Sequence, residues 1–207
     1  MAAHYSIQAE VVNVRSDIPK PADAFFVDTN VWYWMTYTRA KQAAQPPKPY
    51  QIRDYTAYIV KALLSTAKLY RSGLSLAELT HLIEKAEREI FAITNGPIGA
   101  KEFRHNLAPE RARVVAEVKT AWDKIKTLAA PVEALIDEAT TDAALTRFQT
   151  QPVDGYDLFL LETIAKAGVV QVITDDGDFA TVAGIQVFTS NQNVILSAQN
   201  QGKLLTR

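Results

Sequence analysis

Two kinds of block alternate along this chain, and each predicts an element. A short fully apolar run at Ala24 to Val27 and mainly apolar runs at Val169 to Ile173 and Ile185 to Phe188, each with one Gln, read as buried parallel strands. Longer stretches repeat apolar residues at helical spacing. A helix is predicted from Asn30, carrying Trp32, Tyr33, Trp34 and Tyr37, and another from about Ile52 to Tyr70, ended by Ser72-Gly73. Leu74-Ser75-Leu76 reads as a minimal strand, with Ser75 capping a helix through Glu78, Leu82, Ile83 and Ala86. After the Asn95-Gly96-Pro97 turn, helices are expected over Ala108 to Leu128, over Val132 to Phe148, and from Asp154 through Leu158, Leu161, Ile164 and Ala165 to Gly168.

Strands separated by helices predict an α/β fold, a parallel sheet sandwiched between helices in three layers. A chain of 207 residues that is 48% hydrophobic can bury one full core. The expected organisation is an N-terminal extension over 1–23 and a single domain over 24–207, with helical insertions around 36–72 and 97–130. Pro46-Pro47-Lys48-Pro49 marks an exposed loop.

In such a sheet ligands lie outside the carboxyl ends of the strands, and two of the runs end there in acids. Asp28 follows the first, and Thr174-Asp175-Asp176-Gly177-Asp178 follows the second, so Asp28 and Asp175 are expected side by side. Glu78 and Asp157 stand near predicted helix starts. Carboxylates cost most where apolar residues pack, so four such patches point to one shared oxygen-rich pocket for Mg²⁺ or Mn²⁺. Each acid also has a plain structural reading. Asp28 alone would serve as a helix cap, and Glu78 stands where a capping box after Ser75 needs a Glu. Asp154 reads as the cap of its helix and Asp176 as solvent-facing beside Gly177, while Asp175 and Asp178 compete for one role. Trp32, Tyr33 and Trp34 would stack on bases or, more commonly for such a cluster, pack in the core.

Composition narrows the chemistry. With no cysteine, disulfides and thiolate zinc sites are excluded, and oxygen ligands remain. His4, His81 and His105 lie away from the acidic motifs, so nothing favours histidine-driven attack by a ribose 2′-hydroxyl. No long apolar run and no basic-then-apolar start is present, which predicts a soluble cytoplasmic protein with no membrane partner.

The net charge of −1 hides segregation. Residues 39–71 carry seven basic side chains against Asp54 alone, whereas residues 131–178 carry ten acids against Arg147 and Lys166. A polyanion held by Arg39, Lys41, Arg53, Lys61, Lys68 and Arg71, with metal ions offsetting the acids, would use that separation. Solvated helix faces would account for it equally well.

The motifs Val27-Asp28-Thr29-Asn30, Leu74-Ser75-Leu76-Ala77-Glu78-Leu79, Asp154-Gly155-Tyr156-Asp157 before a Leu-rich helix, and Ile173-Thr174-Asp175-Asp176-Gly177-Asp178-Phe179 together resemble the PIN-domain nucleases. That family includes the toxin halves of VapC-type toxin–antitoxin pairs. The likeness runs from about Phe25 to Asn191, and the order of the motifs is more specific than any one of them. It implies Asp28, Glu78, Asp157 and Asp175 as the catalytic and metal-binding acids, Asp178 close by, and Thr29, Asn30 and Thr174 as supporting residues. The chain departs from the compact toxins in its insertions and in the 23 residues before its first predicted strand.

The resemblance predicts a metal-dependent endoribonuclease with one or two Mg²⁺ or Mn²⁺ ions, an RNA substrate and, for a toxin, an antitoxin protein. The apolar face of the 52–70 helix is a candidate homodimer surface. The alternatives are a non-catalytic PIN-like module that binds RNA or protein, and a phosphatase-like hydrolase of small phosphate esters.

Overall fold

The computed structural model describes residues 4–207; residues 1–3 of the expected N-terminal extension lie outside the described residues. Seven strands form one sheet: β1 (Glu10–Asn13), β2 (Ala24–Val27), β3 (Lys68–Ser72), β4 (Ala130–Val132), β5 (Gln171–Ile173), β6 (Gln186–Thr189) and β7 (Leu204–Leu205). Their order is β4-β3-β2-β5-β6-β1-β7 and every pairing is parallel. The helices are α1 (Thr29–Thr36), α2 (Pro49–Leu64), α3 (Gly73–Asn95), α4 (Ala100–Asn106), α5 (Ala108–Leu128), α6 (Glu138–Thr150), α7 (Gly155–Lys166) and α8 (Gln192–Asn200). The α/β fold expected from the alternating pattern is the fold observed.

Register explains the layers. Val27 pairs with Ile173, Ile173 with Phe188 and Phe188 with Val12, so these side chains share one face, where α1, α2, α3 and α5 cover them. One residue earlier, Phe26, Val172, Val187 and Val11 are aligned and point to the other face, under α7 and α8. Apolar residues on both faces are what made these runs mainly apolar, with Gln171 and Gln186 at the starts of β5 and β6. Consecutive connections move to one side of β2 for β3 and β4 and to the other side for β5 and β6. The order therefore reverses between β2 and β5, and the crevice at their carboxyl ends is where such sheets place a ligand.

Several predicted boundaries need correction. The stretch 52–70 is not one helix: α2 stops at Leu64, and Thr66 takes a left-handed φ of 62°. The Ala67 amide then returns to the Ala62 carbonyl at 2.9 Å, a helix-ending pattern that glycine usually supplies. Leu69 and Tyr70 continue as strand because Leu69 buries against the sheet. Leu74-Ser75-Leu76 is helical, and Ser72, not Ser75, caps α3 by accepting from the Leu74 amide. Residues 130–132 pair as β4, and α6 begins only after Asp137, whose side chain accepts from the Thr140 amide. The stretch 1–23 contains β1, which pairs with β6 and β7 inside the sheet. Tyr55, Tyr58, Ile59 and Ala62 of α2 are buried against the sheet, whereas Val60, Leu63 and Leu64 of the same helix are exposed. Among the described residues no helix is long and apolar enough to cross a membrane.

Candidate active site

Asp28 stands where β2 hands over to α1. Its amide donates to the Ile173 carbonyl at 3.0 Å, which ties it to the end of β5. Although it occupies the N-cap position, its side chain makes no cap hydrogen bond. The carboxylate accepts instead from the Thr174 hydroxyl at 2.7 Å and is 2% exposed. Burial pushes its pKa up to about 7, with the charges of Glu78 and Asp176 adding and the Thr174 bond opposing.

Asp157 lies in the first turn of α7, oriented by the cap before it. Asp154 accepts from the amides of Tyr156 (3.2 Å) and Asp157 (3.4 Å), the role expected of it. Asp157 itself is 6% exposed. Burial, then the charges of Asp28, Asp154, Asp176 and Glu78, push its pKa up to about 9. Glu78, on the second turn of α3, is half-buried and raised first by burial, then by Asp154 and Asp176; Thr29 and His81 draw it back. Yet Glu78 Oε2 and Thr29 Oγ1 are both buried with no hydrogen-bond partner, so their approach falls short of a formed bond. The absent bond matters more, because it leaves two oxygens facing the acids unsatisfied.

At the end of β5 the structure separates three neighbouring acids. Asp175, expected beside Asp28 as fourth ligand, turns away: its carboxylate accepts from Tyr50 (3.0 Å), Gln51 (2.7 Å) and Tyr55 (2.7 Å) of α2. Asp176, read as solvent-facing, instead projects its charge onto Asp28, Glu78 and Asp157. Its own pKa is raised first by burial, then by Asp154 and Asp175, against the Asp178 amide, which donates to it at 2.9 Å. Asp178 lies close by, pushed up to about 6 by burial, Asp176 and Asp154.

Sequence reasoning read Asp176 as solvent-facing; the turn after β5 that half-buries it begins at Thr174, a residue type that commonly bonds the amide two positions on. Thr174 faces Asp28, and its hydroxyl accepts from the Asp176 amide at 2.9 Å.

No Lys or Arg appears among the groups acting on Asp28, Glu78, Asp157 or Asp176. An uncompensated set of buried carboxylates and hydroxyls suits a hard divalent cation by donor chemistry, and the orphaned Glu78 and Thr29 oxygens fit the same need. Among the described residues, however, no three acidic or histidine side chains stand close enough together to hold an ion as they are. Magnesium commonly keeps several waters and uses only one or two carboxylates directly, so the donor set fits without being closed.

The basic candidates divide between roles. Arg39 is committed to buried Glu87 at 2.6 Å, Arg53 to Asp54 at 2.7 Å, and Arg71 lies 4.8 Å from the Trp122 ring centroid. Lys68 opens β3 opposite Ala24, at the amino end of the sheet, and Lys61 sits in the last turn of α2. Lys41 and Arg53 lie at the other end of that helix, lining a groove with Pro46, Pro47, Pro49 and Ile52. Tyr50 and Gln51, between groove residues Pro49 and Ile52 in the chain, tie this end of α2 to Asp175. Trp32 is fully buried, whereas Trp34 is partly exposed.

No protein-family model matches this chain, and no curated protein matches it significantly.

Proposed function

We propose that the chain is a metal-dependent phosphodiester hydrolase, an endoribonuclease of the PIN-domain kind that its motifs resemble. One observation carries this reading: buried Asp28 and Asp157 at the carboxyl-end side of the sheet are raised by burial and by the charges of Glu78 and Asp176, and no Lys or Arg offsets them. Buried like charges destabilise a fold unless a cation or a proton offsets them. A bound Mg²⁺ or Mn²⁺ would supply Lewis-acid charge at the phosphoryl group and acidify water for attack.

The residues around it have distinct tasks. Asp28, Asp157 and Asp176 would hold the cation, with Glu78 orienting water or a second ion. Thr174 fixes the Asp28 carboxylate, Asp154 aims Asp157, and Asp175 anchors the 174–178 turn to α2. Lys41 and Arg53 border this end of the sheet and would meet the phosphate backbone, while Lys61 and Lys68 lie too far back to do so. Hydrolysis by water leaves a 5′-phosphate and a 3′-hydroxyl, and 2′-O-methylation at the cleaved link does not by itself stop it. We place the activity in the cytoplasm; as a toxin the protein would require an antitoxin partner.

The test is incubation of the full chain with end-labelled single-stranded RNA in Mn²⁺, in Mg²⁺ and in EDTA, beside folded Asp28→Asn and Asp157→Asn variants. Cleavage that needs metal and both acids supports the reading, whereas 2′,3′-cyclic phosphate ends would sink it. The lack of a ready-made group of three ligands favours a second reading, a non-catalytic RNA-binding module. Salt-sensitive RNA binding with no metal-dependent product would establish that one.

A further inference from the structure

A cavity of about 230 Å³ opens between α1 and α3, lined by Asn30, Tyr33, Trp34, Gln45, Lys85 and Glu89 among others. It continues the acidic site. Asn30 is two residues from Asp28, and Glu78, Leu82, Lys85 and Glu89 fall on one stripe of α3 at helical spacing. The cavity therefore begins about one helical turn, roughly 6 Å, beyond Glu78. Its volume lies below the roughly 300 Å³ at which drug-sized ligand sites begin, which leaves room for one planar ring system.

We infer that this cavity is a nucleobase subsite that selects guanine; that the base belongs to a nucleotide flanking the cleaved phosphate rests on the nuclease reading above. Trp34 supplies the stacking face, and its ring is held against Tyr55 with centroids 5.7 Å apart. Unstacked RNA bases are commonly bound on such aromatic planes and read along their edges.

The edge-reading groups are a carboxylate and an ammonium. Glu89 Oε2 accepts from the Ala44 amide at 3.3 Å, which ties the carboxylate to the loop before α2. Glu89 also raises the pKa of the buried Tyr33 hydroxyl, after burial itself, so the phenol stays protonated at neutral pH. Lys85 is an exposed side chain on the cavity wall.

A carboxylate offers only acceptors. Guanine alone among the RNA bases presents two adjacent donors, N1–H and N2–H, on one edge, with the O6 acceptor beside them for an ammonium. Adenine and cytosine offer one exocyclic amine beside a ring acceptor, which the carboxylate would repel; uracil offers a single N–H flanked by two carbonyls.

The test uses the full chain in EDTA with the four nucleoside 5′-monophosphates, which are not cleaved, followed by tryptophan fluorescence and calorimetry. Guanosine monophosphate should bind about tenfold or more tightly than the other three, equivalent to about 1.4 kcal/mol. Glu89→Gln keeps an acceptor for the Ala44 amide but replaces the second acceptor oxygen by an NH2 donor, and it should remove that preference. Trp34→Phe should lose most of the fluorescence change, and Trp34→Ala should weaken guanosine monophosphate binding by about tenfold or more in calorimetry, which assigns the site.

Equal binding of all four nucleotides, or a guanine preference unmoved by Glu89→Gln, would overturn the inference. Mapping cut sites on RNA in Mn²⁺ separates it from the nuclease reading. Cleavage without preference beside guanine, together with equal nucleotide binding, removes the subsite and leaves the nuclease. Guanine binding that depends on Glu89, with no cleavage, leaves the subsite and removes the nuclease.

Discussion

Two groups of buried carboxylates in this molecule behave in opposite ways. Asp17 and Asp23, 4% and 6% exposed, share Arg207: its Nη1 donates to Asp23 Oδ1 at 2.8 Å and its Nη2 to Asp17 Oδ2 at 2.8 Å. Tyr58 donates to Asp17 and the Lys20 amide to Asp23, while the guanidinium lies 4.5 Å from the Phe188 ring centroid. Burial alone would raise both acids, but these bonds and the arginine's charge outweigh it and hold both below the ordinary carboxylate range. Asp28 and Asp157, as little exposed, are pushed up first by burial and then by neighbouring acids, with no arginine to offset either. Burial raises the acids of both groups, and only the first group has an arginine whose bonds and charge outweigh it. A fold keeps unpaired buried acids together only at a cost, and such costs concentrate at functional sites.

The comparison breaks most clearly in activity. Asp28→Asn or Asp157→Asn should lower metal-dependent RNA cleavage on the order of 10²–10³-fold, as when one group that stabilises transition-state charge is lost. In the paired group the effect should fall on stability. Arg207→Ala strands two buried carboxylates and should cost about 3 kcal/mol in urea unfolding, with no loss of cleavage per folded molecule.

The pH dependence of metal-free stability has opposite signs in the two groups. From about pH 4, folded Asp28 up to about pH 7 and folded Asp157 up to about pH 9 retain protons that the unfolded chain has released, so stability falls as pH rises. The slope is roughly 1 kcal/mol per pH unit for each carboxyl still protonated in the fold. Asp17 and Asp23 contribute stability present above about pH 4 and lost below it. Urea titrations at pH 5, 7 and 9 should show Asp157→Asn flattening the alkaline decline, and Mg²⁺ stabilising the wild type more at pH 9 than at pH 5. A wild type equally stable at pH 5 and 9 without metal would refute the uncompensated cluster.

The smallest difference concerns neighbours at the end of β5. Asp176→Asn should lower cleavage by roughly 50-fold, within the 10- to 100-fold expected for a group tuning a metal site, whereas Asp175→Asn should cost only a few-fold. Equal losses in the two variants would mean that Asp175 also reaches the cation.

Much of the fold was legible from one-dimensional patterns. Apolar runs on both faces announced β2, β5 and β6, helical spacing announced α5 and α7, and the Asp154 cap was readable from its offset to Asp157. Where tertiary contacts override local pattern, the reading failed. Thr66 breaks a helix whose spacing continues past it, because Leu69 gains more against the sheet than as another helical turn. β1 pairs between β6 and β7 although 173 residues separate Asn13 from Gln186, a partnership no local window contains. The site divides in the same way.

Residue types at strand ends and helix starts were enough to select Asp28, Glu78 and Asp157 as candidates, and the structure buries Asp28 and Asp157 and half-buries Glu78. Which of Asp175, Asp176 and Asp178 joins them depended on α2, whose Tyr50, Gln51 and Tyr55 capture Asp175 and leave Asp176 facing the acids. The sequence by itself determined the elements and the chemistry at their ends, because periodicity and burial cost are local. Only the tertiary structure decided partners, since a carboxylate's charge state and direction are set by groups more than a hundred residues away.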